Sequence, residues 1–239
     1  MRVALGWLLS AAVAVAGEVV TLRQGDKGYS GAEDVMLDYQ LRPDARLKHN
    51  FGAAPWLVVY SSGGKNLSLE SGEVLQNDGG WCKLALLRFD LSKIPRKRIA
   101  SIRLVQHVLS RSKPIPHEFE LRRLLREDLR FGSSVDAIEE GSVSAAYSNT
   151  PTRGWGKGDE VMPRVGEDFD TLAFAHATLE EGAATLVFEN LPADDLEWAN
   201  GFVVYPTTRS QNGGGYVVFG SSDHPQVTLR PMLEIHYTK

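Results

Sequence analysis

The sequence predicts an all-β fold, folded as one antiparallel β-sandwich with long loops and one short helix. Three observations carry that expectation. Short runs rich in branched and aromatic residues recur along the chain, bounded by clusters of Gly, Pro, Asn, Asp and Ser. Several of these runs alternate with a period of two, as a sheet with differently solvated faces requires. Finally, there are no heptads, no fixed-period repeats and no strand–helix alternation that would call for a parallel sheet.

The chain begins with Arg2, an apolar run from Val3 to Val15, and the small-residue site Ala14-Val15-Ala16. This is the layout of a secretory signal cleaved after Ala16, and the run is shorter than the roughly 20 residues a spanning helix needs. Strands are expected at Leu57–Tyr60, Lys83–Phe89 and Ile99–Leu109. In the last of these, Ile102, Leu104, Gln106 and Val108 point one way, and Ile99, Ser101, Arg103 and Val105 the other. Phe119–Phe131 reads as a strand to about Leu124 followed by an irregular element. The segment Asp136–Phe169 is poor in apolar residues and reads as a long, elaborated loop, a place where function often sits. Thr185–Phe188 is a strand, and Ala193–Asn200 a short helix after Pro192. The series closes with strands at Phe202–Tyr205, Tyr216–Phe219 and Leu233–Tyr237.

Residues 17–239 are long enough for one sizeable core, and a single all-β domain of this length is ordinary. The sole cysteine, Cys82, excludes an intramolecular disulfide, so an exported chain must rely on packing or a bound ion. Without Arg2 there are 25 basic and 30 acidic residues, a net charge of −5 that argues against a nucleic-acid binder. Charge is unevenly spread. Lys93–Arg130 holds 11 basic and 4 acidic residues, while Asp159–Asn200 holds 11 acidic residues and only Arg164 as a base. Either these segments pair across the sandwich or the first forms a basic face for an anion.

Three ordered segments carry a family likeness. Leu86-Leu87-Arg88-Phe89-Asp90-Leu91-Ser92-Lys93-Ile94-Pro95 is followed by Ile99-Ala100-Ser101-Ile102-Arg103-Leu104. Later come Trp198-Ala199-Asn200-Gly201-Phe202, then Phe219-Gly220-Ser221-Ser222-Asp223-His224 and Arg230-Pro231-Met232-Leu233. With Gly28-Tyr29-Ser30-Gly31, Asp34 and Asn50-Phe51-Gly52 at the start, this order resembles the DNRLRE-type secreted domains, which are similar to carbohydrate-binding module family 96. The resemblance implies a jelly-roll-like sandwich, export to the envelope or medium, and attachment to polysaccharide, acidic glycans being the best-known ligands.

Sugar rings present apolar C–H patches, so flat aromatic side chains are the natural stacking partners. Trp56, Trp81, Trp155, Tyr147 and Tyr216 are the candidates. Trp198 and Trp56 are expected in the core, whereas Trp81 and Trp155, in Gly-rich loops, are the preferred stacking residues. Arg153 and Lys157, with Arg111, Lys113, Arg122 and Arg123, supply cations for carboxylates or hydroxyls. Arg88, inside an apolar strand, either pairs with a carboxylate or reaches a ligand. Asp90 and Ser92 are expected to hydrogen-bond their own turn. Glu167, Asp168 and Asp170, joined by Asp34, form a candidate set for a structural calcium ion. The six histidines show no metal-ligand spacing and no serine-centred nucleophile motif is present, so no enzymatic activity is expected. The expected function is polysaccharide attachment without catalysis. A structural or adhesion module is the alternative, and a small polysaccharide-degrading enzyme a more distant one. No membrane insertion is expected after signal cleavage.

Overall fold

In the computed structural model, the described residues are 17–39, 45–61, 67–68, 73–74, 82–157, 163–207 and 215–239. The signal segment and Trp81 lie outside them. Along the chain run β1 (Val19–Arg23), β2 (Ala32–Tyr39), β3 (His49–Asn50), β4 (Trp56–Ser61), β5 (Leu67–Ser68), β6 (Glu73–Val74), β7 (Cys82–Phe89) and β8 (Ile99–Arg111). They are followed by β9 (His117–Arg123), β10 (Ala137–Ile138), β11 (Ala175–Leu179), β12 (Thr185–Phe188), β13 (Phe202–Pro206), β14 (Tyr216–Gly220) and β15 (Met232–Tyr237).

Every pairing in the large sheet is antiparallel, and its path is β1-β15-β8-β14-β4-β7-β13-β9-β11. β12 also pairs with β8, and β2 with β7. The sheet curls into two layers because β4 leaves β14 and meets β7 at Tyr60–Lys83 and Ser61–Cys82. The result is an all-β sandwich. Its first layer holds β1, β15, β8, β12, β14 and β4; its second holds β2, β7, β13, β9 and β11.

The alternation along each strand explains the packing. Ile102 and Leu104 of β8, Leu57 and Val59 of β4, Val217 and Phe219 of β14, and Leu233 and Ile235 of β15 face inward. They meet Met36 of β2, Ala85, Leu87 and Phe89 of β7, Phe119 and Leu121 of β9, and Phe202 and Val204 of β13. Phe119 and Phe219 touch edge-on across the layers, with centroids 5.8 Å apart. Burying such side chains is worth roughly 1.5–3 kcal/mol each relative to exposure.

The outer face of the second layer is buried as well. Val35 and Leu37 of β2, Leu84 and Leu86 of β7, and Val203 of β13 form a second core with Leu124, Leu129, Phe131, Val143, Ala145, Trp155 and Phe169. β7 is therefore apolar at nearly every position because both of its faces are covered. The covering element is formed by residues 124–157 and 163–169, the described part of the long loop region expected between Asp136 and Phe169 with the segment before it. It is a packed cap and not a free loop. Asn50, fully buried, fastens it: its amide donates to the Val143 carbonyl at 2.9 Å and accepts from the Gly52 N–H at 2.9 Å.

The expected strands are all present, with ends shifted by one or two residues. β1, β2 and β11 were not legible as apolar runs. Two expectations are corrected. The helix over Ala193–Asn200 contracts to a 3-10 turn at Glu197–Asn200, which buries Trp198. Trp56, expected in the core, faces outward at 44% exposure, because Leu57 and Val59 are the inward residues of that strand.

The charge asymmetry resolves into pairs. Arg103 reaches Glu189 at 3.7 Å, Arg123 reaches Asp170 at 3.0 Å and Glu197 at 2.9 Å, and Arg126 reaches Asp168 at 3.1 Å. Arg111 donates to the Glu180 carbonyl at 2.9 Å. Three arginines of the basic segment thus pair with carboxylates of the acidic one across neighbouring strands and loops.

Candidate functional site

Beyond β9 the chain crosses the outer face of the second layer, and its hydrophobic residues are separated by charged ones. Leu124, Leu129 and Phe131 go down into the second core, while Arg126 and Asp128 stay near the surface. Two further passes of the cap, residues 148–157 and 163–170, lie alongside. Where the three passes meet, they leave a cleft of about 680 Å³ lined by Arg126, Asn149, Thr152, Arg153, Gly156, Lys157, Glu167 and Asp168.

Asp168 organises this cleft. It has no exposed surface, and Arg126 Nη1 donates to its Oδ1 at 3.1 Å. Its Oδ2 accepts the backbone N–H groups of Gly156 at 2.8 Å and Arg164 at 2.9 Å. This buried carboxylate, met by three donors of which one is a guanidinium, joins all three passes. Arg126 also donates from Nη2 to Ser148 Oγ at 3.1 Å, so its fork is fixed on both sides.

The charges continue toward solvent. Arg153 Nη1 donates to Asp128 Oδ2 at 2.6 Å. Partial burial pushes the Asp128 carboxyl upward, but the Arg153 and Arg126 guanidinia outweigh it and hold the group below the usual carboxylate range. Glu167 Oε2 accepts the Lys157 N–H at 2.7 Å. Gly156 sits between, at φ +62°, where a Cβ would stand 3.0 Å from Glu167 Oε2. Only glycine takes that backbone shape beside that carboxylate without strain.

Of the residues singled out from sequence, Arg153 and Lys157 line the cleft. Tyr147 is half-buried in the same cap without lining it. Trp155 is corrected: it is fully buried beneath the cleft, its indole N–H donates to the carbonyls of Ser144 and Ala145 at 3.1 Å each, and its ring packs 6.5 Å from Phe169. It has no face to offer a sugar. A tryptophan in a Gly-rich loop reads as exposed only if the loop lacks a core of its own, and this one has one.

Arg88 takes the structural alternative. It binds Glu33 through Nε at 2.7 Å, donates from Nη1 to the Leu129 carbonyl at 3.0 Å, and lies 4.6 Å above the Phe131 ring. The calcium set is not assembled. Asp168 is held by Arg126, Asp170 by Arg123, and Glu167 by the Lys157 N–H. Asp34 belongs to the other side of the second layer, on β2, where its Oδ2 accepts the Ser222 N–H at 2.6 Å. Among the described residues, no three His, Cys, Asp or Glu side chains are grouped to hold a metal ion. Sequence spacing grouped Glu167, Asp168 and Asp170, with Asp34 added from the start of the chain; the fold gives each its own donor.

Arg126, Asp128, Asn149 and Thr152 escaped notice in the sequence. For Arg126 and Asp128 the signal was a charged triplet, Arg126-Glu127-Asp128, wedged between Leu125 and Leu129. The Asp90 turn is as expected, with Asp90 Oδ1 accepting the Ser92 N–H at 2.8 Å. No protein-family model matches this chain, and no curated protein matches it.

Proposed function

We propose that the chain is an exported, non-catalytic carbohydrate-binding module that attaches to an acidic polysaccharide at the cap cleft. The observation that supports this reading is the chemistry of that cleft. It combines the guanidinia of Arg126 and Arg153, the Lys157 residue, the amide of Asn149 and the hydroxyl of Thr152 with two carboxylates. Such an array of donors and acceptors complements a ligand carrying many hydroxyls and some carboxylates. The Arg126–Asp168 pair and the backbone N–H groups fix the wall in advance, which lowers the ordering cost of binding. The family likeness of the Leu86–Pro95 and Phe219–His224 segments points to the same ligand class.

Affinity electrophoresis tests it, with the chain run through native gels containing alginate, polygalacturonate or dextran. Retardation by an acidic polymer is expected, relaxed by salt and reduced in Arg153→Ala/Lys157→Ala. Equal migration in all three gels overturns the reading. Release of unsaturated or reducing sugar from the same polymers would replace attachment by cleavage as the activity.

A further inference from the structure

The two arginines of the cleft are held in opposite ways. Arg126 is mostly buried and its partner Asp168 entirely so, and that pair belongs to the framework of the cap. Arg153 does not. Its side chain is 48% exposed and that of its partner Asp128 58% exposed. Their contact is a single hydrogen bond from Nη1 to Oδ2, and among the described residues the Arg153 guanidinium meets no other acceptor.

The backbone beneath Arg153 is fixed. Residues 149–153 close a tight turn, in which the Asn149 carbonyl accepts the N–H groups of Thr152 at 2.8 Å and Arg153 at 2.9 Å. Ser148 Oγ, which accepts from Arg126 Nη2, donates in turn to the Gly154 carbonyl at 2.6 Å. A rigid turn therefore presents a long side chain that can change partner. Asp128 has a second cation within reach, because Arg126 Nε lies 3.4 Å from its Oδ1.

An exposed ion pair contributes little, since water and salt screen it and both side chains lose freedom in holding it. A carboxylate arriving on a ligand can grip the guanidinium at two points, where Asp128 grips it at one. A hydroxyl cannot compete, because its hydrogen bond to a guanidinium lacks the second charge and is roughly half as strong. One guanidinium does not neutralise two carboxylates, so the two acids exclude each other.

Taking the cleft as the acidic-polysaccharide site proposed above, we infer that Asp128 is a resident competitor, whose carboxylate occupies Arg153 until a carboxylate of the polysaccharide replaces it. Binding is then an exchange of ion pairs. The ligand takes Arg153, and Asp128 turns to Arg126 Nε, so that neither acid is left without a cation. Asp128 thereby sets specificity: a neutral chain leaves the pair closed, and an acidic chain opens it at reduced affinity.

Asp128→Asn tests the exchange, with dissociation constants taken from the mobility of the full chain in native gels of increasing polygalacturonate or alginate content. The asparagine keeps the shape and removes the charge, and melting should stay close to wild type because the lost pair is exposed. Binding is expected to tighten about fivefold, the equivalent of one exposed ion pair. Its salt dependence should steepen, because Arg153 then gives up mobile counter-ions and not a fixed carboxylate. In an Arg153→Ala background the same substitution should bring no gain. An equal gain with and without Arg153 would reveal a diffuse charge effect and overturn the inference. Unchanged or weaker binding in Asp128→Asn, beside a wild-type chain that is retained, would also overturn it while leaving the cleft reading in place. If neither protein is retained by either polymer, the cleft reading itself falls, and the exchange with it.

Discussion

Arg126 Nη1 lies 3.1 Å from Asp168 Oδ1, and this pair joins the start of the cap to its last pass. The guanidinium is mostly buried and the carboxylate entirely so. The pair therefore serves two ends: it closes the second core from above and it fixes one wall of the cleft.

Asp168→Ala is accordingly expected to destabilise the protein by about 3–5 kcal/mol, since it leaves a mostly buried guanidinium and two backbone N–H groups without their acceptor. Denaturant unfolding measures it. Hydrogen exchange at Gly156 and Arg164 should accelerate more than exchange in β8. A loss below about 1 kcal/mol would mean that the cap does not depend on this carboxylate.

Trp155→Ala should cost about 3–5 kcal/mol, because a fully buried indole is replaced by a cavity between Phe169 and the outer face of the second layer. Trp155→Phe should cost less, losing chiefly the indole N–H donor to Ser144 and Ala145. If Trp155→Ala melted at the wild-type temperature, the placement of this residue in the second core would be wrong.

Asp34 gives a pH dependence. It is buried, its Oδ1 has no hydrogen-bond partner among the described residues, and its Oδ2 accepts the Ser222 N–H. Burial pushes its pKa up to about 8, against the Ser222 hydrogen bond, with Asp223 and Glu33 adding to the rise. The folded state thus holds a proton that the unfolded chain, titrating near 4, releases. Between roughly pH 4 and 8 the native state binds more protons, so the stability contribution of Asp34 falls as pH rises through that window. The steepest slope is about 1.4 kcal/mol per pH unit. Asp34→Asn should flatten urea midpoints measured from pH 5 to 8. An unchanged slope in the variant would locate the titration elsewhere.

Gly220→Ala should be destabilising by about 1–3 kcal/mol, since the methyl group meets the Leu229 carbonyl, which is backbone and not a flexible side-chain tip. Thermal melting reports the loss. Limited proteolysis should show faster cleavage between His224 and Arg230 as the turn is pushed off β14. Wild-type melting and cleavage rates together would count against the close approach.

The fold class was legible because period two is a local property. Ile102, Leu104 and their neighbours alternate whatever they pack against, and Asp90 meets Ser92 within its own turn. β2 was hidden because Glu33, Asp34 and Asp38 break its apolar pattern. Those carboxylates are accommodated by Arg88, Ser222 and Lys83, partners remote in sequence. The candidate site was half legible. Arg153 and Lys157 stand in the cleft, but the stacking role expected of Trp155 does not hold, because exposure of a tryptophan depends on what lies across from it.

By itself, then, the sequence determined the strands, the turns and the mildly acidic balance, all of which follow from residue type and short-range spacing. Only the tertiary structure decided which apolar faces are covered. β4 and β7 read alike as runs of hydrophobic residues. The cap lies on Leu84 and Leu86 and buries Trp155, whereas Trp56 at the start of β4 stays 44% exposed. Burial is a relation between segments far apart in the chain, and hydrophobic character sets its strength but not its place.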